Sequence, residues 1–168
     1  MDQSERTLSL RLLSTRDRPF FTYKSGDLEV LALIDTGALT PVWCMGASRF
    51  TAAYPDATKK QGEKCRVSGF GENPLQGDVY VIPQFELRDD NSMYKIINLQ
   101  VAVCDHPQIG CDFVLSDTMF SKTDTLIKRR GKRRIDMVFD KDEYYCTPRY
   151  EDDRFTVTTW AQDETGKG

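Results

Sequence analysis

The chain lacks the long apolar runs and the leader-like segment that would direct it into or across a membrane. None of its 168 residues lies in an apolar run close to the roughly 20 residues that a membrane-spanning helix needs. Residues 1–18 are polar and charged, which is not the pattern of a secretory signal. We therefore expect a cytoplasmic or other intracellular protein that has no membrane partner.

Histidine is almost absent, and the cysteines do not form a recognisable framework. His106 is the single histidine, which excludes a histidine-rich metal site. The five cysteines are odd in number and show no C-x-x-C spacing; they are Cys44, Cys65, Cys104, Cys111 and Cys146. This pattern predicts reduced thiols in a reducing compartment and no metal site. A nucleophilic pair of His106 with a cysteine stays open as an alternative, although no cysteine lies in a recognisable activating sequence.

Alternating and apolar segments predict a single all-β domain with one or two short helices. The length suits one domain with a substantial core. Predicted strands cover 7–13, 20–23, 28–34, 40–43, 94–104, 135–139 and 155–160, and a long hairpin has its arms near 65–68 and 77–87. We further predict a helix or an irregular excursion at 47–54, a surface loop at 56–64, and a short helix at 112–120 with Asp112 near its start.

A carboxylate, a hydroxyl and a glycine follow directly on the most apolar predicted strand, in the order Asp35-Thr36-Gly37-Ala38. A carboxylate at the buried end of a strand is costly unless it is paired or used in chemistry. A threonine hydroxyl can fix a neighbouring backbone, and glycine allows a sharp turn and close approach of another chain. The same residues also suit a plain turn that ends a strand, so what surrounds them decides between the two interpretations.

Two further features follow in the chain. A hairpin tip, Ser68-Gly69-Phe70-Gly71, comes about 30 residues after Asp35. Later, an apolar strand leads into Gln108-Ile109-Gly110-Cys111-Asp112-Phe113-Val114-Leu115. Taken separately, the tip suits an ordinary hairpin turn, and the Ile109-Gly110 segment suits plain packing.

In this order the three features resemble the retropepsins, the single-domain aspartic proteases of retroviruses, retroelements and some cellular relatives. The resemblance covers about residues 20–121. It implies a retropepsin-like acid-protease β-barrel monomer, with a protease domain at 1–139 and a C-terminal extension at 140–168 that can belong to the same domain. It departs from the family at Leu39, where a polar residue that touches substrate is common, so substrate specificity does not carry over.

The resemblance also implies a mechanism. Asp35 is the expected catalytic residue, Thr36, Gly37 and Ala38 complete the active-site loop, and Ser68, Gly69, Phe70 and Gly71 form a flap over substrate. Only one Asp-Thr-Gly motif is present in a chain of half the bilobal length, so the active enzyme is expected to be a two-fold homodimer. It would cleave an extended peptide or polyprotein with water activated between two Asp35 carboxylates, without metal or organic cofactor.

Two alternatives remain open from the sequence. The first is a non-catalytic module with the same fold that dimerises or binds extended peptides, since a fold does not establish an activity. The second is a nucleic-acid accessory domain built on residues 128–134, where six of seven residues are basic. A net charge of −3 argues against nucleic acid as the main partner, and we interpret the basic run as a solvated hairpin loop.

Overall fold

Twelve strands and two α-helices make up the residues that this computed structural model describes, which are 5–13, 16–35, 38, 40–68, 75–145 and 155–158. The strands are β1 (Arg6–Arg11), β2 (Phe20–Ser25), β3 (Leu28–Asp35), β4 (Val42–Trp43), β5 (Thr58–Ser68), β6 (Leu75–Arg88), β7 (Met93–Val103), β8 (Phe113–Ser116), β9 (Leu126–Arg130), β10 (Arg134–Phe139), β11 (Tyr144–Tyr145) and β12 (Phe155–Thr158). The helices are α1 (Gly46–Ala53) and α2 (Asp117–Lys122), and a 3₁₀ turn covers Pro107–Ile109. The prediction of a mostly β chain with short helices is confirmed.

The strands form two sheets. The larger has nine strands in the order β12-β5-β6-β7-β4-β8-β3-β2, and β11 pairs with β7 beside this path. The smaller has the order β1-β10-β9 and is antiparallel throughout. Within the described residues, no helix is long and apolar enough to cross a membrane.

The two predicted strands at 20–23 and 28–34 are present and form a hairpin that ends in Asp35. Strands β2 and β3 are antiparallel, and Gly26 makes the turn between them with a φ of 63°, a conformation that costs glycine little. The other edge of β3 pairs in parallel with β8, so that Asp35 lies opposite Ser116. Asp35 is therefore the last residue of a strand that has a neighbour on both edges.

Strand β3 is buried on both faces, which explains why its sequence is almost continuously apolar. Val30, Ala32 and Ile34 belong to the larger of two apolar clusters. Leu33 points the other way, into a smaller cluster that also contains Ala38. Each such side chain contributes about 1.5–3 kcal/mol to folding when it is fully buried, so this strand is firmly fixed.

The first difference from the predictions concerns residues 56–64, expected as a surface loop. From Thr58 onwards they form the first half of β5. The prediction was wrong because the side chains from Thr58 to Lys64 are exposed or half-buried, so no apolar alternation marks the strand. An irregularity in the pairing of β5 with β6 between Lys59 and Lys64 further obscures the period of two.

The second difference concerns residues 112–120, expected as one helix. Asp112 precedes a strand, and the helix begins only at Asp117. The four residues of β8 are fully buried, so tertiary burial decides their structure. Ser116 then caps the helix, because its Oγ accepts a hydrogen bond from the Met119 amide at 3.0 Å.

The basic run lies in the hairpin of β9 and β10, as interpreted from the sequence, although β9 itself was not predicted as a strand. Gly131 makes its turn with a φ of 65°. At the other end of the chain, β12 pairs in parallel with the outer edge of β5. Tyr144 of β11 packs against Tyr94 with a ring separation of 5.4 Å. The division of the chain at residue 139 stays a prediction.

Candidate active site

Asp35 is the centre of the candidate site. Its side chain is buried, with 3% of the residue exposed, although it ends a strand. The Ala38 amide donates a hydrogen bond to the Asp35 carbonyl at 3.4 Å. Ala38 is 1% exposed and packs with Leu33 in the smaller cluster. Two of the predicted site residues, Asp35 and Ala38, therefore lie together at a buried turn.

Arg18 is a member of the site that the sequence analysis missed. Its Nη2 lies 3.9 Å from Asp35 Oδ1, and its side chain is 30% exposed. The register of the hairpin explains this, because Phe20 pairs with Leu33 and two more residues in each direction reach Arg18 and Asp35. A nearby guanidinium stabilises a carboxylate in its ionised form. Arg18 could have been predicted by counting residues in both directions from the turn at Gly26, because that register places position 18 opposite position 35.

Ser116 and β8 support Asp35 from the other side. The register of β3 with β8 puts Ser116 beside Asp35, and Ser116 is fully buried. Since the Ser116 hydroxyl is engaged in capping α2, the helix start is tied to the strand that flanks the carboxylate. The later segment thus packs directly against the strand that ends in Asp35.

Asp112 is a buried residue that forms hydrogen bonds with β3, with α1 and with the segment after β4. Its carboxylate accepts hydrogen bonds from the Leu31 amide at 2.8 Å and from Arg49 Nε at 2.6 Å. Its own amide donates to the Leu31 carbonyl at 2.9 Å, and its carbonyl accepts from the Cys44 amide at 2.8 Å. Asp112 is 6% exposed, so these bonds compensate the cost of burying it. One residue thus connects β3, α1 and the chain after β4.

The arms of the predicted flap also approach the site. Strands β5 and β6 are antiparallel neighbours, and their last paired residues before the tip are Val67 and Leu75. Val67 packs in the same cluster as Leu33 and Ala38. Ser68 is the last residue of β5. The other predicted site residues lie outside the described residues; these are Thr36 and Gly37 of the loop and Gly69, Phe70 and Gly71 of the flap.

Three of the four cysteines in the described residues have thiols that are shifted away from the reactive thiolate form. Cys44, Cys65, Cys104 and Cys111 are free and buried. A hydrogen bond with the Cys104 thiol, together with burial, raises the pKa of Cys44 well above its ordinary value. Burial raises the pKa of Cys65 and of Cys111 to about 12. Since the thiolate is the reactive form, the thiols of Cys44, Cys65 and Cys111 are unreactive near neutral pH, which disfavours the cysteine–histidine alternative for these three.

Comparison with known proteins finds a likeness in structure and none in sequence. No family model matches the chain, and no curated protein matches its sequence. Its structure is similar to that of a retropepsin-like aspartic protease from Rickettsia conorii, with a TM-score of 0.50 and 10% sequence identity, over 83% of this chain and 95% of that chain. At such low identity the likeness concerns the fold and not the activity. The chain therefore has a retropepsin-like fold, built mostly of β-sheet with two α-helices.

Proposed function

We propose that this chain is an aspartic endopeptidase and that its active form is a two-fold homodimer. The observation that carries the proposal is the placement of Asp35, a buried carboxylate at the end of a strand held on both edges, in a retropepsin-like fold. The Asp35-Thr36-Gly37 sequence supports the same chemistry. The sequence contains no second Asp-Thr-Gly motif, so the proposal takes the second catalytic group from a second copy of the chain.

In the proposed dimer, Asp35 of each subunit faces its symmetry mate across the axis. Two carboxylates a few ångströms apart cannot both ionise at low cost, so the pair holds one proton and titrates as a unit. The ionised member takes a proton from water, which attacks the peptide carbonyl. The protonated member stabilises the developing oxyanion and then supplies a proton to the leaving amine.

The remaining predicted residues have roles that follow from the resemblance. Thr36 would connect the two active-site loops through its hydroxyl, and Gly37 would allow their close approach. The flap that includes Ser68, Gly69, Phe70 and Gly71 would close over an extended peptide and exclude water. The firm fixation of β3 by β2 and β8 supports this arrangement, because catalysis of this kind depends on accurate positioning.

The second candidate function is a peptide-binding or dimerisation module without hydrolytic activity. The observation that favours it is the approach of Arg18 to Asp35 within the same chain. A guanidinium beside the carboxylate favours the ionised form and opposes the sharing of a proton by two carboxylates. The two candidate functions therefore differ in what they predict for substitution of Asp35. A protease loses its cleavage activity, whereas a binding module has no cleavage activity to lose.

The test is cleavage of a peptide library by wild type and Asp35→Asn, followed by mass spectrometry of the new termini. We expect wild type to cut internal peptide bonds with a maximum on the acid side of neutral, and a transition-state inhibitor of aspartic proteases to block it. Asp35→Asn is isosteric but removes both catalytic carboxylates of the dimer, so the rate should fall by at least about 10⁴-fold.

Asp27→Asn is the matched control, since it makes the same change at an exposed position of the β2–β3 turn and should leave the rate unchanged. Cleavage by Asp35→Asn at the wild-type rate would refute the proposal. Binding of peptides by both proteins without cleavage by either would establish the second candidate.

A further inference from the structure

The outer face of the small β1-β10-β9 sheet concentrates positive charge in register. Arg134 of β10 is the direct cross-strand partner of Arg11 on β1 and of Arg130 on β9. The three side chains therefore share one face, in a row across three strands that are about 4.8 Å apart. The opposite face is apolar, and Leu10 and Ile135 there are buried in the core. Like charges directly opposite one another on a sheet are destabilising, so this row carries a cost for the fold.

The described carboxylates neutralise little of this charge. Asp136 is the only carboxylate in the described residues that forms an ion pair with the row, and it is occupied by Arg130 Nε at 2.9 Å and by the Ser9 hydroxyl at 2.6 Å. Arg129 donates to the carbonyls of Gly131 and Asp17, which leaves its charge unpaired by either bond. Other basic residues of the run and of β1 have no ion pair within the described part of the chain; these are Arg11, Lys128, Lys132, Arg133 and Arg134.

A concavity lies at one end of the row. It has a volume of about 290 Å³ and is lined in the described residues by Arg11, Leu12, Arg133 and Arg134. The strand arrangement fixes its wall, because the Leu12 amide donates to the Arg133 carbonyl at 2.7 Å. Three of these four residues are arginines, and a guanidinium group offers forked hydrogen-bond donors that match the oxygens of a phosphate group.

We propose that this basic face binds the phosphodiester backbone of a nucleic-acid strand. Six cations belong to this face or to the turn that adjoins it; they are Arg11, Lys128, Arg130, Lys132, Arg133 and Arg134. A nucleic-acid strand matches them in charge density, because it carries one charge for every 3.4 Å of its length. The outer-facing residues of this sheet include no aromatic side chain in the described part, so bases have no stacking platform here. Recognition is therefore independent of sequence. Because the whole chain has a net charge of −3, we expect binding to be confined to this basic face. We also expect the affinity to depend strongly on salt concentration.

The experiment measures fluorescence anisotropy of labelled 30-nucleotide oligo(dT) and oligo(dA) with the full chain at several salt concentrations. We expect both oligonucleotides to bind with similar affinity, and log K to fall with log[salt] with a slope of about −2 to −3, as for three or four phosphate contacts on a single strand. Arg134→Gln and Lys132→Gln should each weaken binding about three- to tenfold at low salt and reduce the slope by about 0.7.

Two further variants separate the local face from the total charge. Arg88→Gln removes the same charge from an exposed position on β6, outside this face, and should leave affinity and slope unchanged. Asp136→Asn removes the carboxylate that occupies Arg130 and should strengthen binding about two- to fivefold. Circular dichroism verifies the fold of each variant, and Lys132→Gln, which lies in the turn, serves if a strand substitution unfolds the protein.

Three results would overturn the proposal. The first is the absence of binding at 50 mM salt. The second is an equal loss of affinity in Arg88→Gln and Arg134→Gln. The third is tighter binding of a poly-glutamate peptide than of oligo(dT), which would identify an acidic polypeptide as the ligand. Asp35→Asn should bind the oligonucleotides like wild type, so the outcome is independent of the proposed protease activity.

Discussion

Arg18 and Asp35 make the single contact whose chemical consequence can be tested most directly. The guanidinium lies 3.9 Å from the carboxylate and is only partly exposed, so it favours the ionised form. In Arg18→Gln, the proposed pair of carboxylates should hold its shared proton to higher pH. We expect the alkaline limb of the rate–pH profile to move to higher pH.

The measurement is the rate of peptide cleavage against pH for wild type, Arg18→Gln and the control Arg88→Gln. Arg88 is exposed and paired with Glu86, and its substitution should leave the profile in place. An Arg18→Gln profile that coincides with that of wild type would show that the contact has no influence on the catalytic proton.

Asp112 is the second residue with a clear individual effect, on stability. Asp112→Asn removes the charge that strengthens the bonds to Arg49 and to the Leu31 amide, while the volume of the side chain stays the same. We expect the free energy of unfolding to fall by about 2 kcal/mol, the usual contribution of a hydrogen bond to a charged group. Urea unfolding measures it, and Asp27→Asn should change it by less than about 0.5 kcal/mol. An equal effect of the two substitutions would contradict the role given to Asp112.

Strands and helices were predictable from the sequence where their buried residues form an apolar or alternating pattern. The β2–β3 hairpin was predictable because an aromatic strand, a glycine turn and an apolar strand stand in sequence. The first half of β5 was not, because its exposed side chains carry no period of two. In β8, the buried Phe113–Leu115 segment joins a capped helix without a break, so the sequence alone could not separate the two elements.

The candidate site shows the same limit. The positions of Asp35 and Ala38 at the end of a strand could be predicted from the local sequence, because the motif directly follows an apolar run. Arg18 enters the site through cross-strand register, and Asp112 through contacts with residues more than 60 positions away. Contacts of this kind depend on the three-dimensional arrangement of the strands. In a single sequence, strand register can be predicted only where a short turn joins two adjacent strands.

Asp136, in the β9–β10 hairpin, is expected to make the free energy of unfolding depend on pH. Hydrogen bonding from Ser9 and the guanidinium of Arg130 lower the pKa of Asp136 below its ordinary value. A lowered pKa in the folded state adds stability above the unfolded pKa of about 3.9. This stability disappears as the pH falls through the pKa of the folded state.

Wild type should therefore be more stable than Asp136→Asn by about 1 kcal/mol at pH 6, a modest value because the partner Arg130 is largely exposed to solvent. The difference should shrink as the pH falls below the unfolded pKa of about 3.9 and on through the lower pKa of the folded state. Chemical denaturation over this range measures it, and Asp27→Asn provides the control. A difference that grows towards acid pH would have the wrong sign for a carboxylate of lowered pKa.

For the molecule as a whole, the proposal requires an assembly that the single chain cannot supply. Sedimentation velocity should show a concentration-dependent dimer, and specific activity should fall on dilution as the dimer dissociates. Mixing wild type with a fourfold excess of Asp35→Asn should reduce the activity per wild-type chain about fivefold after subunit exchange, because most wild-type chains then have an inactive partner. Full activity in a preparation that sediments only as monomer would exclude this scheme.

The burial of β3 on both faces and both edges has a consequence for the synthesis of the protein. Its neighbour β2 is available as soon as the hairpin emerges, but β8 follows about 80 residues later, so the nascent chain exposes an apolar edge for much of its synthesis. Glu29 is the one charged residue between Leu28 and Ile34 that interrupts this aggregation-prone stretch. We therefore expect ribosome-associated chaperones and slow translation at low temperature to decide the yield of native protein, long before the catalytic aspartate has any role.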